Sequence, residues 1–124
     1  MNGFLLAAAG LAVLLAAAHS YLGERHILIP LLRRNDLPNV FGGAQFTKYT
    51  LRVAWHITTV LAVGLACMLA ALSTPDGVSA ARQAHIISAT SAASAVLALV
   101  GSRGRHLSWI VFTVIAALSW FAYP

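Results

Sequence analysis

Five histidines stand in a chain that has only three acidic residues. Imidazole can act as an acid or base, can ligate a transition metal, and can ligate haem iron axially. The five are His19, His26, His56, His85 and His106, and no two fall in an HxxxH or HExxH pattern. Any shared site must therefore be assembled from different segments. His19 and His56 lie in consecutive apolar runs, and antiparallel helices would bring them to similar depth. They are then a candidate ligand pair for a transition metal or the edge of a haem, with Glu24, His26 and His106 as further ligands. The competing reading is structural. An isolated histidine near a membrane interface commonly bonds a backbone carbonyl or a neighbouring helix.

Other chemistries lack their residues. Cys67 is the single cysteine, so the chain has no internal disulfide and no CxxC pair. His85 has no partner toward the opposite face, so a second haem is not expected. Five scattered histidines also fall short of the dense histidine motifs of membrane di-iron hydroxylases. Glu24, Asp36 and Asp76 fall in loops or at the ends of apolar runs. No carboxylate then sits mid-membrane, where a proton-coupled transporter needs one. No phosphate-cradling glycine loop, Ser/His/Asp order or internal repeat is visible. A histidine acid–base pair is the catalytic arrangement left open.

The elements that must position these residues follow from composition. Hydrophobic residues make up 60% of the 124 and charged residues 9%. A soluble domain carries about 25% charged residues, so this chain is expected to be integral to a membrane. Its apolar runs define spans at about 3–23, 52–73, 82–102 and 106–123. Crossing the hydrocarbon takes about 20 residues. The fourth run is the shortest and carries Trp109, Trp120 and Tyr123 near its ends, as interfacial aromatics do. Met1 to Gly23 lacks a basic n-region and reads as a retained helix rather than a cleaved signal. The expected fold is all-α: one integral membrane four-helix bundle over residues 1–124.

Charge sets the expected orientation. The net charge is +5 with neutral histidines. Arg25, Arg33, Arg34, Lys48 and Arg52 belong to the first loop, Arg103 and Arg105 to the third, and only Arg82 to the second. The positive-inside rule puts the first and third loops in the cytoplasm and both termini on the non-cytoplasmic side. A bacterial inner membrane is the expected location. The basic residues serve topology, so nucleic acid is not an expected partner.

The first loop, 24–51, reads as an amphipathic segment on the inner leaflet. Ile27, Leu28, Ile29, Leu31 and Leu32 form its apolar patch, and Pro30 is expected to interrupt any helix. Arg25, Arg33, Arg34 and Arg52 are placed among lipid head groups or in ion pairs. Gly42-Gly43 reads as a flexible point, and Thr47 or Thr50 as the cap of the second span. Helices in lipid associate through small residues. The third span is small on almost every face, with Ser88, Ala92 and Ala95 as packing positions. The first offers Ala12 and Ala16. Serine and threonine hydroxyls are expected to bond back to their own helix carbonyls rather than to line a conduit.

The stretch His19-Ser20-Tyr21-Leu22-Gly23-Glu24-Arg25-His26, continuing through Ile29-Pro30-Leu31, resembles small four-helix inner-membrane proteins of bacteria. So does Phe46-Thr47, with Leu51-Arg52-Val53-Ala54-Trp55-His56. The resemblance implies no activity. It points to His19, Glu24, Arg25, Arg52, Trp55 and His56 as residues that meet near the cytoplasmic face.

The leading expectation is a non-enzymatic accessory or scaffold subunit, self-associated or packed on a larger membrane complex through the small-residue helix. One alternative is a haem- or transition-metal-binding redox module using the cytoplasmic-side histidines. Another is a binder of lipid or of a small hydrophobe.

Overall fold

The computed structural model describes residues 1–41 and 43–123. It is all-α. The four helices are α1 (Gly3–Leu32), α2 (Ala44–Leu72), α3 (Ala80–Gly101) and α4 (Ser108–Phe121), and the described residues contain no strand. The first three are long and apolar enough to cross a membrane. The fourth has 14 residues. At 1.5 Å per residue it is about 21 Å long, short of the ~30 Å hydrocarbon core.

The chain begins with a tied end. Asn2 accepts hydrogen bonds from the backbone N–H groups of Phe4 and Leu5 and so caps α1. Its own N–H donates to the Ser73 carbonyl at the far end of α2, at 2.7 Å. That bond joins the start of α1 to the end of α2, so the two helices run antiparallel.

Pro30 does not end the first helix, which corrects the expectation of a loop from residue 24. Glu24–Leu28 form a single π turn, and the Ile29 N–H bonds the Glu24 carbonyl. A proline in a regular helix collides with the carbonyl four residues back. The wider turn relieves that crowding, and the helix continues to Leu32. At the other end of the expected loop, α2 begins at Ala44 rather than 52. Only 33–43 remains as the connection.

Neither proposed threonine caps α2. Its N-cap is Gly43, at φ +134, a conformation that glycine tolerates. Gly42 lies outside the described residues. The Thr47 hydroxyl donates to the Pro38 carbonyl at 2.6 Å, and the Thr50 hydroxyl is buried without a partner. In the connection, Arg34 grips Asp36 through two hydrogen bonds. These hold the Asp36 carboxyl down at about 2. The stabilisation is present above the ordinary aspartate range and is lost as pH falls through the lowered value. Both side chains are exposed, so water screens the pair.

The helices pack in chain order: α1 on α2, α2 on α3, and α3 on α4. No comparable contact joins α1 to α3 or α4 among the described residues. The four helices therefore stand as an open row, with α2 and α3 in the middle.

Small residues line the contacts. Ala9, Ala16 and Gly23 are buried at seven-residue spacing along α1, while Ala12 is half-buried. Seven residues is the repeat of closely paired helices. On α3, Ser88, Ser91, Ser94, Ala95 and Ala98 are buried. The Ser88 hydroxyl crosses to the Ala116 carbonyl of α4 at 2.7 Å. Ala92 is exposed, on a face of α3 that neither neighbouring helix covers. Thr90, Ser94, Ser102 and Thr113 all bond back to carbonyls four residues earlier, as expected.

The α2–α3 crossing depends on Gly64. A Cβ there would lie 2.5 Å from Thr90 Oγ1. Gly64→Leu is expected to push the two helices apart and cost roughly 1–3 kcal/mol. Gly10 has nothing within 4 Å of an added Cβ. Gly10→Ala is expected to be neutral or stabilising by up to about 1 kcal/mol. Thermal unfolding of both variants in one detergent checks the contrast. Equal losses would contradict this account of the crossing.

Candidate functional site

The residues with chemistry converge on the seam between α1 and α2. Gly23 permits the closest approach. A Cβ on Gly23 would fall 2.2 Å from the Trp55 indole nitrogen, so only glycine leaves room for that ring. Trp55 then donates its indole N–H to the His19 carbonyl at 3.1 Å. Its ring stacks on the His19 imidazole, with centroids 4.5 Å apart and planes 7° from parallel.

Thr58, one turn along α2, completes that side. Its hydroxyl donates to the Trp55 carbonyl at 2.6 Å and lies 2.9 Å from His19 Nε2. A hydroxyl has one hydrogen to give. With it on the Trp55 carbonyl, Thr58 can only accept from His19, and His19 Nε2 must carry a hydrogen.

The other side of the seam is charged. Arg52 Nη2 donates to Glu24 Oε1 at 2.5 Å. Glu24 Oε2 lies 3.1 Å from His56 Nε2, and His56 Nδ1 lies 2.7 Å from the Ser20 hydroxyl. Against the carboxylate, Nε2 carries the hydrogen. A neutral imidazole then accepts from Ser20 through Nδ1. The chain Arg52–Glu24–His56–Ser20 thus alternates donors and acceptors across two helices. Glu24 opens the π turn of α1, a helix irregularity often found at functional sites.

The structure brings together His19, Glu24, Arg52, Trp55 and His56, with Ser20 and Thr58 added. Yet His19 and His56 line separate grooves. His56 shares one with Ser20, Tyr21, Glu24 and Arg25, and His19 shares others with Trp55, Thr58 and His26. They do not face a common point. His26 is exposed, as are Arg33 and Arg34 on the connection.

His106 is elsewhere. It stacks on Phe46, with centroids 6.0 Å apart, and pairs through Nδ1 with the Ser108 hydroxyl at 2.8 Å. Phe46 precedes His56 by ten residues of α2, about 15 Å of helix. His106 is therefore not placed to join His19 and His56 as a further ligand, because α2 begins at Ala44 and carries Phe46 well before His56. His85 contacts Trp120 at 4.8 Å. Among the described residues no group of three or more His, Cys, Asp or Glu is placed to hold a metal ion.

Ser20 and Thr58 were missed as site residues because a hydroxyl in an apolar run ordinarily bonds its own helix. Their register with His56 and His19 appears only once α1 and α2 are paired. Comparison with protein-family models, curated proteins and solved structures finds no match for this chain.

Gly23→Ala is expected to displace Trp55 and destabilise the protein by roughly 1–3 kcal/mol. Glu24→Ala and Arg52→Ala are expected to be non-additive, with a coupling near 1 kcal/mol, the scale of interhelical polar contacts in membranes. A double-mutant cycle on thermal stability measures that coupling. Strict additivity would mean that the pair does not join the helices.

Proposed function

We propose that the chain is an integral protein of the bacterial inner membrane that acts as a non-enzymatic scaffold or accessory subunit, self-associated or packed on a larger complex. Both termini face the non-cytoplasmic side in this reading, with the α1–α2 and α3–α4 connections in the cytoplasm. One observation carries the functional part. The polar side chains that meet between α1 and α2 are bonded to one another across the seam. Both ring nitrogens of His56 and both carboxylate oxygens of Glu24 are engaged, and His19 Nε2 is held by Thr58. They fasten α1 to α2. The haem or metal reading requires His19 and His56 to give up these bonds and turn toward a shared centre.

The open row supports association. Among the described residues α1 and α4 each pack extensively on one helix, and large apolar side chains such as Leu11, Leu14, Val114 and Leu118 are exposed on them. α4 is also too short to span alone and gains from being held beside other helices. The orientation rests on the basic residues in and flanking the first and third connections, with Arg25, Lys48 and Arg52 on the adjoining helix ends.

Native mass spectrometry after extraction in mild detergent tests the role. A defined homo-oligomer or a stoichiometric partner is expected. A lone monomer, a Soret band, or one equivalent of tightly bound metal would overturn it. Topology is tested in a Cys67→Ala background. Asp76→Cys should react with an impermeant thiol reagent in intact cells, and Arg105→Cys only after the inner membrane is opened. The reverse pattern would invert the orientation.

A further inference from the structure

One guanidinium in this region is not used by the seam. Arg25 has no carboxylate partner among the described residues, and its side-chain contact is with the Tyr21 hydroxyl at 3.1 Å. Arg25 and Tyr21 line a groove of about 650 Å³ along α1, together with Ala17, Ser20 and Ile29, and His56 closes it from α2. Glu24 also lines this groove, but Arg52 and His56 occupy its two oxygens. Arg25 is the cation of the groove, and the Glu24 charge is offset by Arg52, which stands outside the lining and bonds it. The site favours an anion.

Its position narrows the choice. The sequence carries no charged side chain before Glu24. Arg25 therefore stands where α1 leaves its apolar run, at head-group level in a bilayer. Ala17 is eight residues deeper, about 12 Å toward the hydrocarbon. The groove thus offers a cation and a phenol at one end and an apolar wall leading inward. An amphiphile with an anionic head satisfies both ends, whereas a free phosphate satisfies only one.

We infer that this groove holds an anionic phospholipid, its phosphate on Arg25 and Tyr21 and an acyl chain along Ala17. The phosphate accepts from guanidinium N–H donors not used on Tyr21, and the Tyr21 hydroxyl has its hydrogen free to give. This inference stands independently of the scaffold reading, since a monomer would bind the same lipid.

The test uses the full chain in nanodiscs of equal parts phosphatidylcholine and phosphatidylglycerol, with retained lipid read by native mass spectrometry. Phosphatidylglycerol should be enriched on the protein. Arg25→Ala should lower its occupancy roughly fivefold, the effect of one basic residue at an anionic surface. Arg25→Lys should keep part of it. Arg34→Ala is the control for charge alone, because Arg34 is paired with Asp36 outside the groove. Helix content by circular dichroism confirms that each variant is folded. Equal retention of the two lipids, or equal losses from Arg25→Ala and Arg34→Ala, would overturn the inference. Displacement by millimolar glycerol phosphate would overturn the lipid as occupant and reassign the groove to a soluble phosphate.

Discussion

A polar side chain inside a bilayer has no water to fall back on, so its partner decides where its helix must sit. In the membrane placement proposed above, the α1–α2 seam is built on that constraint. Trp55 cannot leave its indole N–H bare, and the Gly23 notch lets it reach the His19 carbonyl. His56 needs a partner for each nitrogen and finds Ser20 and Glu24 on the facing helix. These bonds fix both the register and the rotation of α1 against α2. Apolar packing alone would leave rotation free, because lipid tails cover leucine as well as a neighbouring helix does. Among the described residues the Thr50 and Thr59 hydroxyls and the Trp109 indole are buried without partners, and none of them belongs to the bonds of the seam.

The π turn extends this arrangement along α1. By carrying the helix past Pro30 it keeps Glu24, Arg25 and Ile29 on one rigid element. A broken helix at residue 24 would let Arg25 swing away from Tyr21, which is one turn earlier. With the turn in place, the charged end of the seam and the Arg25 groove share a single geometry. The remaining helices follow more ordinary rules: small residues at Gly64, Ser88 and Ala95 allow close approach, and hydroxyls fold back on their own carbonyls.

The four helices were legible in the sequence because each needs an uncharged run, and charges mark the ends. The boundaries were less so. Pro30 and the charges around it read as a loop, and the ability of a π turn to absorb the proline leaves no compositional trace. Antiparallel order and depth made the nearness of His19, Glu24 and His56 legible, while Arg52 and Trp55 came with the resemblance, which also included Arg25, a residue that bonds Tyr21 rather than the seam. Azimuth was not legible. Depth cannot show that His19 and His56 fall into different grooves, or that Ser20 and Thr58 are their partners. His106 lies beside Phe46, ten residues of α2 from His56, a separation that the early start of α2 sets and that composition does not mark. The third helix is small on nearly every face, and such a pattern names no particular contact side, so it does not tell the buried Ser88 and Ala95 from the exposed Ala92.

The central claim is that polar bonds, not apolar contact, hold α1 on α2. Ala16 of α1 and Ala62 of α2 line one cavity beside the seam and take no part in its bonds. The most direct measurement crosslinks Ala16→Cys to Ala62→Cys in native membranes with a short bis-thiol reagent, in a Cys67→Ala background. Efficient crosslinking is expected with the seam intact, falling sharply when Glu24→Ala and His56→Ala are added. Undiminished crosslinking in that variant would show that the helices stay paired without these bonds, and the account would be wrong.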